Sequence, residues 1–467
     1  MGTASGRARR GVPALLAAAG LASVLTFAGT AVPAAAAGPG LYGWGSNIWG
    51  TVGNGTLNEA HSPVPDTLPA GAARIAAGGA DGAAVLSDGR LAMWGQNAFA
   101  TIGDGTTATR PSPVVVPGLT GIVQAAPGID HTLALDSGGT VWSWGSNVYG
   151  QLGNGTTNSA TGSNPTPVPV PGLTAVVQVA NGSQYSLALR SDGTVWAWGE
   201  NTSGQLGDGT IADQDRAGQV PGLTGITRIA AGGSTSYAVG AGGTLYAWGD
   251  NTAGQLGNGT AAGYSAAPVT VPGLTGVTAV VAGPDETLAL VGSPGTVWSW
   301  GQNRSGTAGD GTIATRPTPA PISLTGVTQI ATSPTLSAAV LTSGRLMTWG
   351  NNVSGGLGQG SSGNSVHPTP ALVPALTGVT QVAVASGNGL AIGSAAPKVP
   401  SLIGQTQAEA ASTLQAAGFT LGRVAQVVDL TCEFIGEVKS QSPAAGTFAQ
   451  PGTAVSISIG KPGGKCL

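Results

Sequence analysis

Histidine is the side chain best suited to proton transfer near neutral pH, and this chain of 467 residues holds three: His61, His131 and His367. They fall in three separate stretches, and none has a nucleophile or metal-ligand partner at a recognised spacing. His131 is expected to satisfy a backbone carbonyl at a turn, and Tyr185 takes its place one repeat later. Carboxylates offer a second chemistry. Glu200 and Asp250 occupy one position of two adjacent repeats, a pair that general acid–base catalysis would use. No third residue accompanies them in a fixed pattern, so an enzyme built on them is an alternative reading only. Asn54, Asp104, Asn154, Asp208, Asn258 and Asp310 stand in G-N-G-T or G-D-G-T turns. Their oxygens suit a cation, but an Asx side chain beside glycine ordinarily bonds its own backbone. Asn47, Asn97, Asn147, Asn201, Asn251, Asn303 and Asn352, which follow W-G pairs, are read in the same way. H-E-x-x-H, cysteine-rich metal spacing and G-x-x-x-x-G-K-[ST] are all absent from the sequence. The expectation is therefore no catalytic residue, no metal and no cofactor.

The element that positions these side chains is a repeat. Residues 144–156 read W-G-S-N-V-Y-G-Q-L-G-N-G-T, and the pattern occurs seven times, anchored on Trp44, Trp94, Trp144, Trp198, Trp248, Trp300 and Trp349. The spacings are 50, 50, 54, 50, 52 and 49 residues. Short strands repeated at this period indicate a β-propeller. A second half-repeat, VVQVANGSQYSLAL from Val176 or IVQAAPGIDHTLAL from Ile122, has room for two strands. Ser-Asp-Gly at 87–89 and 191–193 then suits the tight hairpin into the tryptophan strand. Trp142 and Trp144 lie two apart, on one strand face, and the repeated tryptophans are read as packing between blades. Proline-rich runs such as VPVPGLTA at 168–175 are expected to carry the chain between blades. The chain enters on a tryptophan half at Leu41 and leaves on the other half at residues 380–393. The two ends are expected to share one blade, closing a ring of seven.

These segments, with G-x-x-H-T-L-A-L at 128–135, resemble the repeats of the regulator of chromosome condensation family over about residues 41–393. The resemblance implies a seven-bladed propeller. The founding member is a nuclear nucleotide-exchange factor for a small GTPase. Exchange is not expected here, because the tryptophan spacing leaves no large inserted wedge and a fold does not carry its function with it.

A different composition begins near Pro397. Thr406-Gln407-Ala408-Glu409 is a capping-box pattern, an alanine-rich run to Ala417 suits a helix, and Gly418 is placed to stop it. Two strand candidates lie within 435–460 around a Pro/Gly turn. V-P-x-L-I-G, the helix, and V-x-S-Q-S-P-A-A-G-T resemble a PASTA domain over about 398–461. Some PASTA modules contact muropeptides or β-lactams, and others only space or stabilise. Both cysteines, Cys432 and Cys466, fall in this tail. In an exported chain a lone pair is expected to form a disulfide rather than a metal site, with free thiols or an intermolecular bridge as alternatives.

Arg7, Arg9 and Arg10, an apolar run and the small residues Ala35–Ala37 have the form of a secretory signal. The expected division is thus a signal peptide at 1–37, a mainly β propeller at 38–396 and a small α+β domain at 397–467. The propeller part contains nine arginines, no lysine and 16 acids, a net of −7, which gives no electrostatic footprint for nucleic acid. Scarce lysine with abundant alanine and glycine suggests a bacterial source.

One loop position departs from the repeat: Trp49, Phe99 and Tyr149, then Ser203, Ala253, Ser305 and Ser354. Three aromatics on consecutive blades predict an arc on one rim, flanked by Glu200 and Asp250, suited to a protein or glycan partner. Secreted β-lactamase-inhibitor propellers of this repeat superfamily also use aromatic-rich loops. The leading expectation is a secreted, wall-associated, monomeric binding protein that is not an enzyme. It would have no membrane attachment once the signal is cut. Its partner would be an extracellular protein or a cell-wall component, with peptidoglycan contacted by the tail. The alternatives are an inhibitor of β-lactamase or penicillin-binding proteins, a cell-wall or carbohydrate-active enzyme, and a lectin.

Overall fold

A computed structural model describes residues 39–159 and 162–464. The expected signal peptide and Cys466 lie outside the described residues, and with Cys466 the expected cysteine pairing. Seven four-stranded antiparallel blades surround an axis. Blade 3 shows the plan: Ile122–Pro127 innermost, then His131–Asp136, the tryptophan strand Val141–Ser146, and Ser163–Pro169 outermost. Blade 1 is made from both ends of the propeller. Gly40–Gly45 pairs with Asn388–Ala395, with Leu41 opposite Ile392 and Trp44 opposite Gly389. The expected closure is therefore present, and it turns two open sheet edges into one continuous sheet.

Burial on both faces explains why these strands form. In Val141–Ser146, Ser143 and the ring of Trp144 are buried and Trp142 is half-buried. The hairpin before it turns at Gly139, whose φ of 81° is open to glycine at little cost. The seven anchoring tryptophans are each 0–1% exposed, and each indole N–H donates to a carbonyl of the preceding blade. Trp144 Nε1 reaches Thr101 O at 2.7 Å, and Trp198 Nε1 reaches Gln151 O at 2.8 Å. Trp44 Nε1 completes the circuit to Gly356 O of blade 7 at 2.9 Å. Each contact joins apolar burial to a satisfied buried donor, so the staple between blades is both hydrophobic and directional.

The proline-rich runs do more than connect blades. Arg110–Val115 (RPSPVV), Ser163–Pro169 and Arg316–Pro321 (RPTPAP) are outermost strands. Proline is tolerated there because one side of an edge strand needs no donors, and it discourages pairing with other chains. Their carbonyls also receive the preceding loop, as in Gly55 N to Pro111 O at 3.0 Å and Gly105 N to Pro165 O at 2.9 Å.

The tail has one α-helix, Gln407–Ala416, with the expected capping box between Thr406 and Glu409. Gly418 follows at φ 80°. Its sheet has three strands, including Thr420–Asp429, for which the sequence reading made no provision. That strand runs parallel to Ala454–Pro462, a long-range pairing without a local turn signal. Leu402, Ala410, Leu414, Phe419, Val438 and Val455 form its core. The tail meets the propeller through Gln450 Nε2, which donates to Leu376 O at 2.8 Å.

Candidate functional site

Each long loop that follows a tryptophan strand is organised by its asparagine. In blade 3, Asn147 Oδ1 accepts from Leu152 N at 3.0 Å, and Asn147 Nδ2 donates to Thr156 O at 2.8 Å. In blade 2, Asn97 makes the same bonds to Ile102 N and Thr106 O, and adds Ala108 O. These asparagines are buried and bind local backbone as expected, although they span the whole loop rather than forming a short Asx turn. The G-N-G-T residues form the short turns: Asn154 Oδ1 accepts from Thr156 N at 3.0 Å, and Asp104 Oδ1 from Thr106 N at 3.0 Å. Among the described residues no cluster of three or more potential metal ligands occurs.

The loop tips stand outside this network. Trp49 and Phe99 are 42% and 45% exposed, and Tyr149 is half-buried. Sequence reasoning missed their apolar neighbours. Ile48 is 61% exposed beside Trp49, and Val353 of blade 7 is exposed as well. Ile129, 54% exposed, lies in the hairpin turn beside the blade 3 loop, where Ser146 N donates to Asp130 O. The apolar loop tips thus run over blades 7, 1, 2 and 3, and Leu57, Ile211, Tyr264 and Ile313 are exposed further along the loops of blades 1, 4, 5 and 6. The only sequence signal for Ile129 was an apolar residue inside a glycine turn.

Glu200 and Asp250 follow on blades 4 and 5, and each is bound within its own loop. Glu200 Oε1 accepts from Thr202 Oγ1 at 2.8 Å. Asp250 Oδ2 accepts from Thr252 Oγ1 and Gln255 Nε2, both at 2.8 Å. No hydrogen bond joins the two carboxylates to each other. As flanking groups they hold their turns, and the geometry gives no shared acid–base centre.

The position of His131 brings a correction. Its ring bonds no backbone carbonyl: Nδ1 lies 3.1 Å from Asp130 Oδ1 and Nε2 lies 3.0 Å from Ser186 Oγ of blade 4. Tyr185, its counterpart, is the one that takes a carbonyl, donating to Thr235 O at 2.6 Å. Asp130, His131 and Ser186 have the composition of a hydrolase triad, but His131 and Ser186 are fully buried and the serine donates to Gln151 O at 2.9 Å. With its hydroxyl committed and no route for a substrate, the serine is a blade fastener rather than a nucleophile. Equivalent ring positions carry Asp81 and Glu286. Burial pushes both carboxyls up, Glu286 to about 8. In the tail, the ammonium of Lys439, 2.8 Å from Asp429, holds that buried carboxyl well below the usual range.

With this geometry in hand, the likeness to known proteins is specific. The family model for the RCC1-like domain matches residues 40–392. The chain belongs to the RCC1-like domain family. The PASTA domain model matches residues 397–461. Among solved structures, Prp20p of Saccharomyces cerevisiae superposes with a TM-score of 0.67 at 21% identity, over 76% of this chain and 91% of that one. Human WBSCR16 gives 0.69 at 22% identity, over 76% and 99%. A stretch of 44 residues is 46% identical to Protein pim1 of Schizosaccharomyces pombe, covering 9% of this chain and 8% of that protein. The chain therefore spans under a tenth of that curated relative in the match. At these identities the structural likeness shows the fold alone.

Proposed function

We propose that this RCC1-like protein is a secreted, cell-envelope-associated binding protein that is not an enzyme. The propeller grips a protein partner through its loop face, and the PASTA domain contacts peptidoglycan or a wall enzyme. The observation that carries this reading is the set of exposed apolar side chains Val353, Ile48, Trp49, Phe99 and Ile129 at the loop tips of blades 7, 1 and 2 and the blade 3 turn, where blades 4 to 6 carry Ser203, Ala253 and Ser305 at the tip. Exposed aromatic and aliphatic side chains on a rigid support are suited to anchoring a partner. The study of Prp20p concerns its binding to Gsp1p and histones, so a propeller of this kind does engage proteins. A PASTA domain is typical of wall-associated proteins, and no helix among the described residues is long and apolar enough to cross a membrane. Nucleotide exchange is not carried over on likeness of fold.

The test compares the full chain with its Trp49→Ala/Phe99→Ala/Tyr149→Ala variant. Both are used for quantitative capture from culture supernatant and for co-sedimentation with purified peptidoglycan. The expected result is capture of a defined protein that the variant loses, with sedimentation unchanged. Full capture by the variant overturns the arc, and failure of both proteins to sediment overturns the role of the tail at the wall.

A further inference from the structure

The propeller axis holds a cavity of about 280 Å³ whose lining includes residues from all seven innermost strands. One ring position of these strands reads Arg74, Gln124, Gln178, Arg228, Ala279, Gln329 and Gln381, in register on their neighbouring strands. Where it is glutamine, the amide clips the next blade. Gln124 Nε2 donates to Val179 O at 2.8 Å and Gln124 Oε1 accepts from Val179 N at 3.0 Å. Gln178 does the same to Ile229, Gln329 to Val382, and Gln381 to Ala73 O and Ile75 N. Blades 2, 5 and 6 break the pattern with Arg74, Arg228 and Ala279. The amides one clip further on, those of Ala125, Val280 and Ile330, receive no side-chain acceptor among the described residues, and arginine has none to offer.

Among the described residues, Arg74 and Arg228 are the only ionisable ones lining the cavity. They sit on nearly opposite sides of the ring, three blades apart. Neither guanidinium has a hydrogen bond or ion pair among the described residues. Four other arginines of the propeller do pair with aspartate: Arg90 with Asp88, Arg110 with Asp104, Arg190 with Asp192 and Arg316 with Asp310. In a propeller with a net charge of −7, two cations kept at the axis without a carboxylate stand out. Burial without a partner also pushes the Arg228 guanidinium down, a cost that a bound anion would reverse.

We propose that the axial cavity is a site for a small oxyanion, carboxylate or phosphate, held by Arg74 and Arg228. Planar guanidinium forks match both groups, and the remaining polar lining of glutamine and threonine tolerates bound water. The cavity admits a compact anion rather than a folded segment of another protein. The site is independent of the loop-face arc.

The experiment follows thermal melting of the full chain against inorganic phosphate, citrate and, as a neutral control, glucose, at constant ionic strength. A saturable rise in melting temperature with phosphate, citrate or both is expected, and the responsive probe assigns the chemistry. Arg74→Gln and Arg228→Gln should each weaken the apparent affinity at least tenfold, and Arg304→Gln, at an exposed loop position, should leave it unchanged. Because glutamine restores the ring clip, Arg228→Gln should melt no lower than the parent chain without anion. If a glutamine variant fails to fold, Arg228→Lys replaces it, keeping the charge and losing the fork. An equal response in parent and axial variants, or no saturable response to either oxyanion, overturns the proposal.

Discussion

Blades 1 to 3 and blades 4 to 6 build their long loops on one scaffold and differ at the tip residue. Asn147 in blade 3 and Asn201 in blade 4 accept from Leu152 N and Leu206 N at 3.0 and 2.9 Å. Trp144 and Trp198 are buried alike, each donating to the blade before. The tips, however, are Trp49, Phe99 and Tyr149 on one side and Ser203, Ala253 and Ser305 on the other. A loop that closes equally well on serine, alanine or tryptophan does not need its tip residue for folding. The tip is therefore free to carry recognition, whereas the asparagine and tryptophan are not.

The comparison breaks most visibly if the scaffold is cut. Trp198→Ala removes a fully buried indole and its hydrogen bond to Gln151 O, which keeps only the bond from Ser186 Oγ, and should cost about 3–5 kcal/mol in denaturant unfolding. A loss below about 1 kcal/mol would show that the blades do not depend on this staple. An intermediate effect is expected at Glu286, which is neutral in the folded protein at pH 7 because burial pushes it up to about 8. The unfolded carboxyl ionises near 4.5. The folded state then binds more protons between these values, so the contribution of Glu286 to stability falls as pH rises from about 4.5 to about 8. Glu286→Gln should flatten that slope in melting experiments, gaining on the parent chain most at the alkaline end, and an unchanged slope would place the titration elsewhere. The smallest effect on folding belongs to the tips. Trp49→Ala, Phe99→Ala and Tyr149→Ala should each shift unfolding by about 0.5 kcal/mol or less, in contrast to the loss of binding proposed for the triple variant. A large destabilisation would mean that the tips belong to the scaffold after all.

Legibility followed the same division. The tryptophan strands, hairpins, blade count, closure and capped helix were readable because each rests on a local pattern: a period of about 50, a Ser-Asp-Gly turn, a T-x-x-E box. The proline runs were only half read, since an outer-edge strand and a connector share a composition. Thr420–Asp429 was missed because its parallel partner lies some thirty residues away with no turn to announce it. His131 was assigned to a carbonyl, but the hydroxyl of Ser186 is 55 positions along the chain and becomes its neighbour only across a blade boundary.

The sequence by itself determined the ring. Seven copies of one unit, each apolar on the faces it turns to its neighbours, have no better way to bury seven tryptophans than to stack in a circle. Only the tertiary structure decided which residues meet at the axis and on the rim. Arg74 and Arg228 are unremarked surface-type residues in sequence, 154 positions apart. Ring closure sets them around one cavity, because equivalent positions of a propeller converge wherever the strands approach its axis. Ile129 joins Trp49 and Phe99 on one face for a related reason: turns and loops from different parts of the chain leave the ring on the same side.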